Sequence, residues 1–381
     1  MFTAVTAEFN PFHKGHEALM NFAGNQKDSE GVIVILSSNF TQRGLPSLTD
    51  KFTRAFTALR GGAEIVIELP FLYACSAGEN FARGAAEIIG RLGFVSRVVF
   101  GVEDYGFDIG GLARAVNSEG FGEMLRAEMR KGVSYSKAFS LSAGKIFDGA
   151  YEFLTRPNNT LALSYMTALQ RGGYSGIECI GFPRVEGVNS GMIREDLSRG
   201  SEYLPEYSVR VLDECERAGR ISDCKPLWGI MQYTFIRSCA EELRRFYGID
   251  EGIEGLFLRK WRESDGFEDF VGRCVCARYT RAHIRRRLVY LMLGLERSET
   301  ERALNEGVPY ARVLGFTGKG RSILREYRKR AAIPVITGLK YAEGANGKFF
   351  AETERRASML YELTMLKSDM SRESNKVLQF A

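Results

Sequence analysis

The stretch Glu8-Phe9-Asn10-Pro11-Phe12-His13-Lys14-Gly15-His16 decides how the chain is read. An apolar run before it, Ala4-Val5-Thr6-Ala7, reads as a strand, and a helix is expected to start near His16. Strand, loop with Pro and Gly, then helix is the opening unit of a parallel α/β sheet. The unit repeats. Val32-Ile33-Val34-Ile35-Leu36 is a second strand, followed by a polar loop and a helix that Asp50 caps and that runs to Gly61. Ile65-Val66-Ile67 is a third strand, closed by Glu68-Leu69-Pro70. A helix over 79–92 leads to a fourth strand, Val98-Val99-Phe100, ending at Gly101. Continuous apolar strands of this kind belong to a sheet covered on both faces. Ligands on such sheets sit beyond the carboxyl ends of the strands. Residues 10–16, residues 37–50, Glu68 and Gly101 all fall there.

The first loop carries chemistry of its own. His13 and His16 are three apart, so both imidazoles face one spot at the helix start. Gly15 removes a side chain where a phosphate would approach backbone. The helix terminus adds free N–H donors and the positive end of the helix dipole. The chain has only 3 histidines and two are here, which favours a phosphate site over a turn with incidental rings.

Beyond the fourth strand, residues 108–173 read as mostly helical. Ile177-Glu178-Cys179-Ile180 is a short strand at a sheet edge, because Glu178 needs an exposed position. A short helix is expected over 191–197. From about 203 the pattern is helix after helix, rich in Arg and Tyr, with few strand candidates. The expected division is an ATP-binding α/β domain over 1–200 and a mostly helical, basic domain over 201–381. The tail from Lys367 is polar and is expected to fray. A net charge of +5 permits a polyanionic partner without demanding one. No apolar run approaches the roughly 20 residues that span a bilayer. The chain starts directly on a strand-like segment, so no export signal is read, and 7 scattered cysteines fit reduced thiols in a cytoplasm. Cys274 and Cys276 read as ordinary thiols, since no second Cys pair completes a zinc site.

At this point a resemblance emerges. The His-x-Gly-His arrangement after the first strand resembles the superfamily of Rossmann-like nucleotidyltransferases. The stretch 8–16, Ser38-Asn39-Phe40-Thr41-Gln42-Arg43-Gly44, Asp50-Lys51 and Ile67-Glu68-Leu69-Pro70 are similar to the bacterial tRNA(Met) cytidine acetate ligases. So are Phe100-Gly101-x-Glu103, Pro157-Asn158-Asn159, Tyr279-Thr280-Arg281 and Tyr310-x-Arg312-Val313-Leu314-Gly315. The similarity covers nearly the whole chain. It implies an HxGH-type Rossmann-like fold and a ligase that forms acetyl-adenylate from acetate and ATP. The acetyl group then goes to N4 of the wobble cytidine of elongator tRNA(Met). By motif match it implies ATP-binding residues Thr6, Ala7, Glu8, Phe9, Asn10, Pro11, Phe12, His13, Lys14, Gly15, His16, Leu19, Gly101, Asn158 and Arg184, with His13 and His16 catalytic. Asn158 also has a plain reading as a helix N-cap.

The chain departs from the superfamily at its second phosphate motif. Asn189-Ser190-Gly191-Met192-Ile193-Arg194 keeps the Ile-Arg ending but only one hydroxyl. Ser190, Arg194 and the bare backbone of Gly191 are the phosphate candidates that remain. The loop over 184–189 is short for the family.

Arg43 and Lys51 are candidates for an anion or a solvated loop charge, and Glu68 for ligand orientation or loop capping. Glu8 could tune the histidines or make a structural hydrogen bond. Arg278, Arg281 and Arg285 are expected on one helix face, and Lys319 opens a second basic stretch. Both suit tRNA phosphates or a solvated surface. Magnesium is expected to come with ATP; no metal-ligand cluster is read. Neither a membrane nor DNA is expected as a partner. Two other readings stay open: an adenylyltransferase acting on a small phosphorylated metabolite, and a non-catalytic RNA-binding relative.

Overall fold

A computed structural model describes residues 1–184, 190–374 and 377–380. Its centre is one eight-stranded sheet: β1 (Phe2–Ala7), β2 (Val32–Ser37), β3 (Ala63–Leu69), β4 (Val95–Val102), β5 (Glu178–Pro183), β6 (Ala311–Thr317), β7 (Val335–Ile336) and β8 (Leu378–Phe380). The order is β5-β4-β1-β2-β3-β6-β7, and β8 also pairs with β6. Strands β1 to β5 are mutually parallel, with the order reversing beside β1. The reversal opens a crevice at the carboxyl ends of β1 and β4, the usual ligand position in an open α/β sheet.

The alternation of side chains along each strand sorts two cores. Phe2, Ala4, Ile33, Ile35, Ile65, Ile67, Val98 and Phe100 face the helices Gly78–Leu92 and Pro157–Arg171. Val5, Val32, Val34, Leu36, Val66 and Val99 face Lys14–Gly24 and Lys51–Arg60 on the other side. Both faces are therefore apolar and covered, which is why the strands read as unbroken hydrophobic runs. Asp50 caps its helix as expected, accepting from the amides of Phe52 and Thr53. Such a cap stabilises by about 1 kcal/mol.

Several expectations change in detail. β4 runs on through Gly101 to Val102, so Gly101 lies within the strand and not after it. β5 is an edge strand, and Glu178 there pairs with Arg97 across β4 at 2.7 Å. Helices dominate beyond residue 203, but β6 enters the sheet antiparallel to β3, with Glu68 opposite Arg312. Residues on both sides of residue 200 thus build the same sheet. The tail is tied down: Leu378–Phe380 pairs with β6, and Glu373 is buried among charges. Arg278 and Tyr279 precede the helix Arg281–Met292, whose N-cap is Thr280, so Arg278 does not share a helical face with Arg281 and Arg285. Among the described residues no helix is long and apolar enough to cross a membrane.

Candidate active site

The two histidines hold each other. His13 is the N-cap of the helix Lys14–Gly24. Its Nδ1 accepts the amide of His16 at 3.3 Å, and the Nδ1 of His16 accepts the amide of His13 at 3.3 Å. This reciprocal box satisfies two backbone donors that a helix start leaves open. The rings stack with centroids 3.6 Å apart and planes at 19°. With Nδ1 of His13 used as an acceptor, the proton of its neutral ring sits on Nε2. Burial, helped by the positive charge of Arg184, pulls His13 down to about 4. Burial and the neighbouring His13 hold His16 well below its ordinary value, against a partly restoring hydrogen bond to the Pro11 carbonyl. At neutral pH both rings are uncharged: the N–H of His16 is spent on the Pro11 carbonyl, and Nε2–H of His13 is the ring donor left over.

The loop before them is set by packing. Phe9 adopts a left-handed φ of 46°. Its ring meets Phe12 at 4.7 Å and His16 at 4.9 Å. The Asn10–Pro11 peptide is cis. Asn10 is pinned twice: its Oδ1 accepts the Leu48 amide at 2.7 Å, and its carbonyl accepts Arg194 Nη1 at 2.6 Å.

A cavity of about 740 Å³ lies over the carboxyl ends of β1 and β4. Residues 6–10, His13, Gly15, His16 and Leu19 line one part of it, and Gly101, Asn158, Arg184, Ser190, Gly191 and Arg194 another. These sequence-expected residues are separated by up to 188 positions, and the fold brings them together. Three expected residues lie outside the cavity wall. Phe12 packs instead on Phe9 and Tyr207, Lys14 Nζ donates to the Glu202 carbonyl at 2.7 Å, and Pro11 turns the loop between them. Asn189 and the loop over 185–189 lie outside the described residues.

A Cβ at Gly101 would meet nothing within 4 Å, so the bare backbone of β4 borders open space there. Glu103 organises that side. Its Oε1 accepts Asn158 Nδ2 at 3.1 Å and Arg184 Nη1 at 2.9 Å. Asn158 is not the N-cap, which is Arg156; Asn158 sits in the first turn and its side chain turns to the cavity. The structural asparagine is its neighbour: Asn159 is fully buried and binds the amides of Glu103 and Asp104. Glu103 was quoted in the sequence only as part of a resemblance. Its place 55 residues from Asn158 gives no local signal of the role.

Glu8 resolves to a structural hydrogen bond, accepting the Gln42 amide at 2.8 Å. Burial raises its carboxyl, opposed by that amide and by Arg54, Arg194 and Arg43. Arg43 is exposed on the cavity rim and forms no ion pair among the described residues. Gly44 beside it, at φ 69°, lets the loop lie against the helix Arg281–Met292. A Cβ there would come within 2.4 Å of the Arg286 amide nitrogen.

Neither Lys51, a candidate for an anion, nor Glu68, a candidate for ligand orientation or loop capping, lines the cavity. Both are fully buried away from the cavity, in a cluster with Arg312, Glu354 and Glu373. Lys51 Nζ lies 2.5 Å from Glu68, 2.7 Å from Glu354 and 2.9 Å from Glu373. Burial pulls its ammonium down, but the three carboxylates hold it above its usual value. Burial and the carboxylate of Glu354 raise Glu68, against Lys51 and Arg312.

The basic residues divide. Arg285 is locked to Glu268; Arg281 lies 3.7 Å from that same carboxylate, and Arg278 3.6 Å from Glu251. Their helix leans on the cavity rim, where Arg286 Nη1 donates to the Gln42 carbonyl at 2.7 Å. Lys319 lies 3.7 Å from Glu64, at the amino end of β3 and so at the opposite end of the sheet from the cavity. All 7 cysteines are free thiols. Among the described residues no group of three His, Cys, Asp or Glu could hold a metal ion.

A Rossmann-like sheet with an HxGH helix start beside a crevice at the reversal of strand order defines a nucleotidyltransferase. The chain belongs to the HIGH nucleotidyltransferase family, whose sequence pattern matches residues 1–376. It is similar over most of its length to tRNA(Met) cytidine acetate ligases. That of Fervidobacterium nodosum is 29 % identical over 355 residues, 87 % of this chain and 83 % of the relative. That of Clostridium perfringens is 29 % identical over 370 residues, 90 % of each chain. The crystal structure of Thermotoga maritima TmcAL bound with alpha-thio ATP superposes with a TM-score of 0.91, at 26 % identity and over 100 % of both chains.

Proposed function

We propose that this protein is an ATP-dependent ligase that acetylates N4 of the wobble cytidine of elongator tRNA(Met). The observation that carries the reading is the cavity itself. It joins the HxGH helix start to the bare backbone at Gly101, in a fold shared end to end with a relative crystallised with an ATP analogue.

ATP lies across this cavity. Its adenosine runs over Gly101, where no side chain intrudes, with Asn158 and Arg184 fixed by Glu103 at the edge. Its phosphates meet Nε2–H of His13, whose ring His16 holds in place, the backbone at Gly15, and Ser190 and Arg194 across the crevice. An acetate oxygen attacks the α-phosphorus and the bond to the β-phosphate breaks. Pyrophosphate leaves with the His13 ring donating to its new charge. Donors preset where charge develops lower such barriers because they need no reorganisation. The cytosine amine then attacks the acyl carbon, AMP departs, and N4 releases a proton to solvent. Magnesium would enter on the triphosphate, since hard cations prefer phosphate oxygens and water; no step above is assigned to it.

Residues 201–381 supply the tRNA face. The offered cations are Arg278 and Arg281, whose side chains are 57 % and 56 % exposed, beside the rim that carries Arg43. Arg285 positions their segment through Glu268. Lys319 is left out of this face by its place at the far end of the sheet.

The test is incubation with ATP, labelled acetate and elongator tRNA(Met), followed by nucleoside mass spectrometry. The expected product is N4-acetylcytidine at the wobble position, with AMP and pyrophosphate in equal amounts. Pyrophosphate release without acetylated tRNA would refute the assignment.

A further inference from the structure

The lining of the cavity comes from both faces of the sheet. The histidines belong to the face of the sheet covered by Lys14–Gly24. Thr6 points the other way, because it is in register with Ile35 and shares the face of Phe2 and Ala4. On that face the cavity continues between the helices Gly78–Leu92 and Pro157–Arg171, lined by Phe81, Phe100, Leu161 and Ala162. Two hydroxyls interrupt this apolar wall, Thr6 Oγ1 and the phenol of Tyr165. Both are buried and neither has a hydrogen-bond partner in the protein. Tyr165 is only 3 % exposed, with its ring stacked on Phe100 at 5.8 Å. The two hydroxyls are neighbours: that of Thr6 is near enough to lower the phenol of Tyr165 a little, although the pair falls short of full hydrogen-bond geometry.

A buried hydroxyl without a partner costs about 1–3 kcal/mol. Two such groups, adjacent and opening on one cavity, fit a ligand that brings acceptors to both. Burial keeps the phenol of Tyr165 protonated, so it is a donor. Arg54, Arg194 and Arg43 lie close enough to lower the Glu8 carboxyl, and Arg184 pairs with Glu103 at the other edge, so cations outnumber carboxylates around the cavity. Phe81, Phe100 and Leu161 behind the hydroxyls leave the anion a short apolar tail.

We propose that Thr6 and Tyr165 bind the carboxylate of the acid co-substrate, and that Phe81 and Leu161 close the cavity behind its methyl group and set the chain length accepted. This rests on the ligase reading and adds the acid subsite to it. The subsite places the acid across the end of β1 from the histidines, so that a carboxylate oxygen reaches the α-phosphorus from the side opposite the departing pyrophosphate.

The experiment is ATP–pyrophosphate exchange driven by formate, acetate, propionate and butyrate, with the wild type and with Tyr165→Phe, Thr6→Val, Phe81→Ala and Leu161→Ala. Loss of one hydrogen bond to a charged group predicts a rise of about 10- to 100-fold in KM for acetate in Tyr165→Phe, with KM for ATP unchanged. Thr6→Val should move the same constant in the same direction. Phe81→Ala and Leu161→Ala should shift preference toward propionate and butyrate by about 10-fold or more. Phe81 is a core residue, so Leu161→Ala, at a partly exposed position, keeps the chain-length arm readable if Phe81→Ala does not fold. An unchanged KM for acetate in Tyr165→Phe would overturn the subsite, and so would an unchanged acetate-to-butyrate ratio in a folded Leu161→Ala. If the wild type exchanges with a different acid and Tyr165→Phe raises the KM for that acid, the subsite stands while acetate as the substrate falls.

Discussion

Two regions at the carboxyl ends of the same sheet use buried charge in opposite ways. Around Lys51, three carboxylates and two cations pair with one another as ions, away from the cavity. Around His13, an open cavity is edged by polar atoms that the protein leaves unpaired, those of Thr6, Gln42, Glu103 and Tyr165 among them. The first region is a clamp between distant parts of the chain and the second a place for a ligand. Both contain a Glu at a strand end, so residue type alone does not separate them. What separates them is that the charges around Lys51 are packed against counter-charges, while the polar groups around His13 belong to residues that line an open cavity.

The contrast breaks most clearly at Lys51. Lys51→Met leaves the three buried carboxylates of the cluster with Arg312 as their one cation, beside the neutral donors Ser38, Phe71 N–H and Ser358. It should cost about 3–5 kcal/mol in denaturant unfolding, the scale of an uncompensated buried charge. The folded fraction should keep its adenylation rate. A loss below about 1 kcal/mol would mean that the cluster is not a clamp. His13→Ala should do the converse: a fall of about 100-fold or more in ATP–pyrophosphate exchange, with only about 1 kcal/mol lost as the cap is removed. Near-normal exchange in both His13→Ala and His16→Ala would remove the histidines from the phosphate site.

Proton titration sharpens the same comparison. His13 ionises at about 4 when folded and near the ordinary 6.5 when unfolded. The unfolded chain therefore takes up the proton first as pH falls. The stability of the neutral ring is full above pH 6.5 and is lost down to about pH 4. The linked loss is on the order of 3 kcal/mol. In proton NMR no resonance of His13 or His16 should move with a midpoint near 6.5, and exchange should show no histidine ionisation between pH 6 and 8. A ring titrating at 6.5 would make the motif a cationic site instead. The smallest expected effect is that of Lys319→Ala. At the far end of the sheet it should change tRNA affinity at fixed salt by less than about 2-fold, well under the roughly tenfold salt-dependent losses that several phosphate contacts together produce.

The sequence made β1 to β4 readable because each is a run of apolar residues buried on both faces. β6 escaped because Arg312 interrupts it. An arginine mid-strand reads as surface until Glu68 is known to lie opposite. Lys51 looked like a loop charge for the same reason. Its partners Glu354 and Glu373 are 303 and 322 positions away. In the site, the motif residues were legible since they are contiguous. Glu103, Phe81 and Tyr165 were not, because the bend after β4 and two helices distant in sequence carry them to one wall. Only a three-dimensional partner could distinguish Asn159, which holds the backbone, from Asn158, which faces the cavity.

The late arrival of β6 matters while the protein is being made. As the chain leaves the ribosome, the first three strands can pair at once, but β3 keeps a bare apolar edge until residues 311–317 emerge. Exposed edges of this kind recruit other strands. Glu68 on that edge, with Lys51 close by, puts charge where a foreign strand would have to dock, guarding the nascent sheet until its own last strands come to cover it.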